Sequence, residues 1–160
     1  LTQDSGKASV IVAENFSYSN ANGFARFAVS STVADSINYF AVIEFGDDEP
    51  FTGSAKVYFI PGPPHRLSYL NQPYSAPINT VFFPPIRVAI YDSNNNQMWT
   101  DTNVVNLRLF PFNFIDGGSS KVEVSGLAEF PLLSIASGGT YTLISGAPGS
   151  SLAPATLPTR

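Results

Sequence analysis

Asp47, Asp48 and Glu49, set between Gly46 and Pro50, are the densest group of potential metal ligands in the sequence. Carboxylate oxygens are what Ca²⁺ takes, and an ion held there would stiffen a junction between repeated domains. Consecutive loop residues diverge, however, so the plainer reading is the solvated tip of a hairpin, with Ca²⁺ the one cofactor suggested. Asp92-Ser93-Asn94-Asn95-Asn96 begins with the oxygens of a calcium loop but lacks the later Gly and Glu, and reads as an ordinary turn. His65 is the sole His. It stands beside prolines, with neither a second His for a metal nor a Ser or Asp in triad context, and reads as a solvated linker residue.

Glycoside hydrolysis needs two carboxylates facing across a cleft. The remaining acids, Asp4, Glu14, Asp35, Glu44, Asp101, Asp116, Glu123 and Glu129, show no spacing that foretells such a pair. No catalytic residue is expected. Asn15-Phe16-Ser17 matches the glycosylation acceptor pattern, a short and common match. Tyr18, Tyr39, Tyr69, Tyr74, Phe82, Phe83 and Trp99 supply aromatic surface for stacking on a glycan, with Trp99 and Tyr74 the candidate ligand-binding residues. Trp99, the only Trp, also falls near where a sandwich places a core aromatic, and the core reading outweighs the sugar-stacking one.

Charged residues make up 12% of the 160, so Ser, Thr, Asn and Gly must cover the surface, as on many exported β-proteins. The net charge of −4 and the scatter of 8 Lys and Arg argue against a nucleic-acid partner. With no Cys, disulfides, thiolate metal sites and a Cys nucleophile are excluded. No apolar stretch reaches the length of a transmembrane helix, so no membrane insertion is expected in this segment. Leu1 is not an initiator Met and no leader pattern follows it, so the chain reads as cleaved or internal, with any export signal upstream.

These residues must be positioned by strands. No window keeps an apolar spacing of three and four, while 13 Pro and 12 Gly punctuate the chain. Alternation predicts strands around Val10 to Val12, over Phe24 to Val29, over Tyr39 to Phe45 and over Ser54 to Ile60. Pro61-Gly62-Pro63-Pro64 continues neither a helix nor a central strand and reads as a short, stiff connector. Beyond it, strands are predicted at Arg66 to Leu70, Ile86 to Tyr91, Gln97 to Thr100, Val104 to Phe110, Lys121 to Val124, Leu127 to Leu132 and Thr140 to Ile144. A closing strand in the tail, interrupted by Pro154 and Pro158, can pair only at an edge. About seven short strands in roughly 95 residues is the pattern of an antiparallel immunoglobulin-like sandwich.

Gly126-Leu127-Ala128-Glu129-Phe130, followed by Tyr141-Thr142-Leu143-Ile144, echoes Gly23-Phe24-Ala25-Arg26-Phe27, followed by Tyr39-Phe40-Ala41-Val42-Ile43. The offset from Gly23 to Gly126 is 103 residues, too long for two whole copies in this chain. Residues 63–160 read as a complete sandwich, and residues 1–62 as the C-terminal part of another, lacking the equivalents of residues 64 to 103. An incomplete sandwich exposes apolar faces and open edges, so strands from a neighbouring subunit or from chain upstream are expected to complete it. Gly23, Phe27, Tyr39, Gly126, Phe130 and Tyr141 are the structural positions of the repeat: Gly for positive φ or close approach, aromatics for the core.

Arg66-Leu67-Ser68-Tyr69-Leu70-Asn71-Gln72-Pro73, Pro85-Ile86-Arg87-Val88-Ala89-Ile90-Tyr91-Asp92 and Gly126-Leu127-Ala128-Glu129-Phe130, with Tyr141-Thr142-Leu143, resemble the bacterial immunoglobulin-like repeats strung in tandem on large surface proteins, including adhesins of the invasin and intimin type. Val57-Tyr58-Phe59-Ile60-Pro61-Gly62-Pro63-Pro64 resembles the close of such a repeat. The resemblance implies an all-β, non-enzymatic structural or adhesive module at a cell surface or in an extracellular fibre. Its partners would be neighbouring repeats or identical subunits, with a host or glycan ligand a further candidate. A carbohydrate-binding β-sandwich is the alternative.

Overall fold

The computed structural model describes residues 2–3, 10–12, 17–43, 51–71, 73, 75–99, 103–122, 124–149 and 152–158. Among them there is no helix. The chain divides into two compact units, Leu1–Ile60 and Pro61–Arg160, and each sheet draws its strands from one unit alone. The fold is all-β, with every strand pair antiparallel.

The first unit contains β1 (Thr2–Gln3), β2 (Val10–Val12), β3 (Val29–Ser31), β4 (Asp35–Ile43) and β5 (Phe51–Phe59). One sheet runs β1-β4-β5 and a second is the pair β2-β3. Its main feature is the β4–β5 ladder, in register from Asp35 opposite Phe59 to Ile43 opposite Phe51. Ile37 and Tyr39 are buried on one face of it, with Val29, Val33, Val57 and Phe59 packed around them. Tyr39 carries a buried hydroxyl with no hydrogen-bond partner among the described residues, and burial pushes its pKa up. Toward the other end of the ladder cover is lost, with Val42, Ile43 and Phe51 exposed, and on the opposite face Phe40 and Tyr58 are exposed as well; β5 lies at a sheet edge.

The strand predicted over Phe24 to Val29 is shorter than its composition suggests, since β3 begins only at Val29. A polar turn comes first. The side-chain oxygen of Asn20 accepts the N–H groups of Asn22 and Phe24, each at 3.0 Å, and Gly23 takes φ +79°. Those bonds replace the ladder bonds a strand would need. They leave Phe24 exposed.

The second unit is a two-sheet sandwich with β6 (Pro64–Tyr69), β7 (Ile86–Asp92), β8 (Val104–Phe110), β9 (Ser120–Val122), β10 (Leu127–Phe130), β11 (Thr142–Gly146) and β12 (Ala155–Pro158). One sheet is ordered β10-β7-β6 and the other β12-β11-β8-β9. The chain makes one hairpin in the first sheet, crosses for a hairpin in the second, returns with β10 and crosses back for β11 and β12. This is the immunoglobulin-like arrangement, in which consecutive strands change sheets so that both inner faces close on one core. β12 takes an edge position, where Pro154 and Pro158 interrupt no neighbour on its open side. A parallel bridge between Arg66 and Ala153 further ties the first strand to the segment entering the last.

The period of two builds this core directly. Ile86, Val88 and Ile90 point inward from β7, Val105, Leu107 and Leu109 from β8, Ala128 and Phe130 from β10, and Leu143 from β11; all are buried in one cluster. Full burial of each large side chain stabilises the fold by about 1.5–3 kcal/mol before chain entropy is set against it.

Gln97 to Thr100 corrects the sequence reading. Among the described residues of that span, Gln97 to Trp99, only an isolated bridge between Gln97 and Tyr91 forms. Met98, whose N–H donates to the Ile90 carbonyl at 2.9 Å, is the residue that enters the core. Neighbours on an extended segment point to opposite sides, so Trp99 is turned outward and is 45% exposed. The core reading of Trp99 is therefore overturned.

Candidate functional site

The most tightly organised polar group lies where the proline-rich segment enters the second unit. Pro61, Pro63 and Pro64 have no N–H, which leaves Gly62 the only backbone donor among the four residues. That N–H donates to Oδ2 of Asp92, thirty residues later, at 2.9 Å. Asp92 ends β7 and is 1% exposed. Its Oδ1 accepts the N–H groups of Asn94 and Asn96, each at 2.8 Å, and Oδ2 also accepts Nδ2 of Asn96 at 2.8 Å. A carboxylate has about four acceptor positions, and all of them here face N–H donors.

Burial alone would push the Asp92 pKa up, but the hydrogen bonds from Asn96, Gly62 and Asn94 outweigh it and hold the pKa below the usual carboxylate value. Asn95, at the crest of the turn, has φ +67°, a conformation Asn tolerates better than most residues. Its Oδ1 accepts Nη2 of Arg66 at 2.9 Å, and the Arg66 guanidinium lies 4.7 Å from the Tyr91 ring centroid. Asp92 thus organises the loop through four accepted hydrogen bonds.

A second polar cluster surrounds Tyr141, which enters β11 and packs against the core. Its hydroxyl donates to the Ser137 carbonyl at 3.2 Å and accepts Nδ2 of Asn113 at 2.6 Å. A Tyr before a sandwich strand, bonded to backbone just upstream and two residues before a core position (here Leu143), is the tyrosine-corner geometry of immunoglobulin-like domains. Beside it, Pro73, Pro77, Ile78, Phe82, Ile135 and Tyr141 help line a shallow cleft of about 120 Å³ with no charged side chain.

Asp47, Asp48 and Glu49, the candidate Ca²⁺ ligands, lie outside the described residues, as does Tyr74. Trp99 is exposed, after β7. Gly126 takes φ +71°, and a Cβ there would meet the Met98 carbonyl oxygen at 2.0 Å. Gly23 shares the positive φ, with open space around it. Phe130 is fully buried and Tyr39 nearly so, while Phe27 is half-buried. Asp116 and Glu129 belong to different settings: the Asp116 backbone bridges to Ser134, and Glu129 accepts Nε of Arg87 at 2.8 Å on the surface. Among the described residues, no three His, Asp or Glu side chains gather as a metal site.

Sequence reasoning missed the Asp92 cluster. Its signal was present in an Asp closing an apolar strand and a proline run whose one donor is a glycine. It missed the Tyr141 corner because Asn113 belongs to a loop with no pattern of its own.

No family model matches the chain. No curated protein matches it either. Among solved structures, it is similar to Bacteroides uniformis beta-glucuronidase 3, with a TM-score of 0.50 and 9% identity over 79% of this chain and 16% of that one. It is also similar to the Parabacteroides merdae beta-glucuronidase with glycerol in its active site, with a TM-score of 0.43 and 12% identity over 78% of this chain and 16% of that one. The chain thus spans 16% of the length of each enzyme. At 9% identity, the first likeness is one of fold: antiparallel β-sandwich.

Proposed function

We propose that this chain is a non-catalytic structural or adhesive module of a bacterial cell-surface or extracellular fibrous protein, built from immunoglobulin-like units in series. The observation that carries this reading is the division into two compact units at Ile60 and Pro61, with the proline run opening the second. A spacer of this kind needs a core that resists extension and a connector with few backbone freedoms, and proline supplies the latter. The first unit is completed by β-strands of a neighbouring subunit or of chain upstream, a reading supported by the exposed Ile43, Phe51 and Tyr58 on its long ladder.

Pulling the chain from its two ends tests the series arrangement. The second unit is expected to yield in its own event, releasing roughly 300 Å of chain at about 3.3–3.6 Å per residue. One event that releases all 160 residues would show a shared core and end the proposal, as would hydrolysis of a glycoside panel by the folded protein alone.

A carbohydrate-binding sandwich is the second reading, favoured by the outward position of Trp99. Glycan-array binding that disappears in Trp99→Ala, with folding intact, would establish it; binding that survives, or none in the parent chain, would remove it.

A further inference from the structure

We infer that Asp92 is a metal-independent clasp that fixes the proline connector to the second sandwich. The inference rests on reading Pro61–Pro64 as a connector between units and names the device that holds its downstream end. In tandem surface domains an acidic loop at a junction commonly suggests a bridging Ca²⁺, because a divalent ion can draw carboxylates and carbonyls of two segments together. Here two segments of the second unit are tied without such an ion. The acid is the acceptor, and the incoming segment brings an N–H.

Three features make the assignment specific. Gly62 is the sole N–H donor among Pro61–Pro64, the last of which already begins β6, so this bond is the one backbone attachment that the run can donate. Asp92 cannot turn away to solvent without also abandoning the Asn94 and Asn96 amides, because one carboxylate serves both. The next residues are held independently: Ala153 donates to the His65 carbonyl at 3.3 Å and its own carbonyl accepts the Leu67 N–H at 3.2 Å. From Gly62 to Leu67 the segment is therefore pinned at both ends, by Asp92 and by Ala153. Arg66, the cation of this corner, gives its guanidinium to Asn95 and to the Tyr91 ring. The clasp consequently depends on hydrogen bonds rather than on an ion pair or a metal.

Gly62 is itself exposed, so its amide would exchange rapidly with solvent were it not bonded. Amide exchange in the full chain, followed by NMR, reads the clasp directly. Gly62 is expected to exchange at least tenfold more slowly than an unstructured glycine, equally in excess EDTA, in millimolar CaCl₂ and in 0.5 M NaCl. Asp92→Ala should abolish that protection while the Ile90 amide, bonded to the Gly126 carbonyl, stays protected and reports an intact sandwich. Free exchange at Gly62 in the parent protein, or protection that needs calcium, would overturn the clasp. Full protection of Gly62 in a folded Asp92→Ala protein would overturn it too. Should Asp92→Ala not fold, the parent measurements decide. These results leave the series arrangement untouched, since that stands or falls on the pulling events.

Discussion

The hydroxyl of Tyr141 bridges two loops, accepting Nδ2 of Asn113 at 2.6 Å and donating to the Ser137 carbonyl at 3.2 Å. Its ring meanwhile packs against the core of the second unit. Removing the oxygen alone therefore separates hydrogen bonding from packing. Tyr141→Phe is expected to lower the stability of the second unit by about 1–2 kcal/mol, two bonds at the usual net worth. Urea denaturation should show a lower midpoint with an unchanged slope.

The two glycines that open the repeated segment are expected to answer differently to the same substitution. Both have positive φ. At Gly126 a Cβ would also collide with the Met98 carbonyl, whereas at Gly23 it meets open space. Gly126→Ala should cost more than about 2 kcal/mol, since backbone strain and displacement of Met98 add. Gly23→Ala should cost about 1 kcal/mol or less. Thermal melts of the two variants check the contrast, and equal losses would refute it.

Acid should weaken the second unit through Asp92. Its pKa in the folded protein lies below the usual 3.8. A depressed folded-state value means that the stabilisation is fully present above the unfolded-state pKa and is lost as pH falls through the folded one. Denaturant midpoints should hold between pH 7 and about 5, then drop below about pH 4. Asp92→Asn should have a lower midpoint at neutral pH and a shallower acid slope. An identical slope would show that other carboxylates govern the acid response.

Trp99 and Phe130 invert the usual expectation that the lone Trp matters most. Phe130 is fully buried, and Phe130→Ala is expected to cost about 3–5 kcal/mol. Trp99→Ala, at a half-covered outward position, should cost clearly less, about 1–2 kcal/mol. Equilibrium unfolding of the two variants side by side measures both.

Much of the second unit was legible before folding. Ile86, Val88 and Ile90 announce β7, and Val105, Leu107 and Leu109 announce β8, because a strand buries alternate residues and that alternation is written locally. Gly126 was legible for the same reason, since a positive φ is a property of one residue. Trp99 was misread because its neighbour Met98 took the inward position, a choice set by the register of the turn after Asp92. Phe24 to Ala28 looked like strand and are not, and the Phe24 N–H goes instead to the side chain of Asn20.

Composition and alternation by themselves pointed to an antiparallel β architecture, with no helix among the described residues, and to a break at the proline run near residue 62. Such features follow from what each residue permits its own backbone and its nearest neighbours. Which acid would matter was decided only by the tertiary structure. Asp92 and Gly62 are thirty residues apart, and nothing in either segment specifies the other. They meet because Pro64 pairs with Asp92 where β6 lies along β7, and the pairing of strands is fixed by the whole core rather than by any stretch of it.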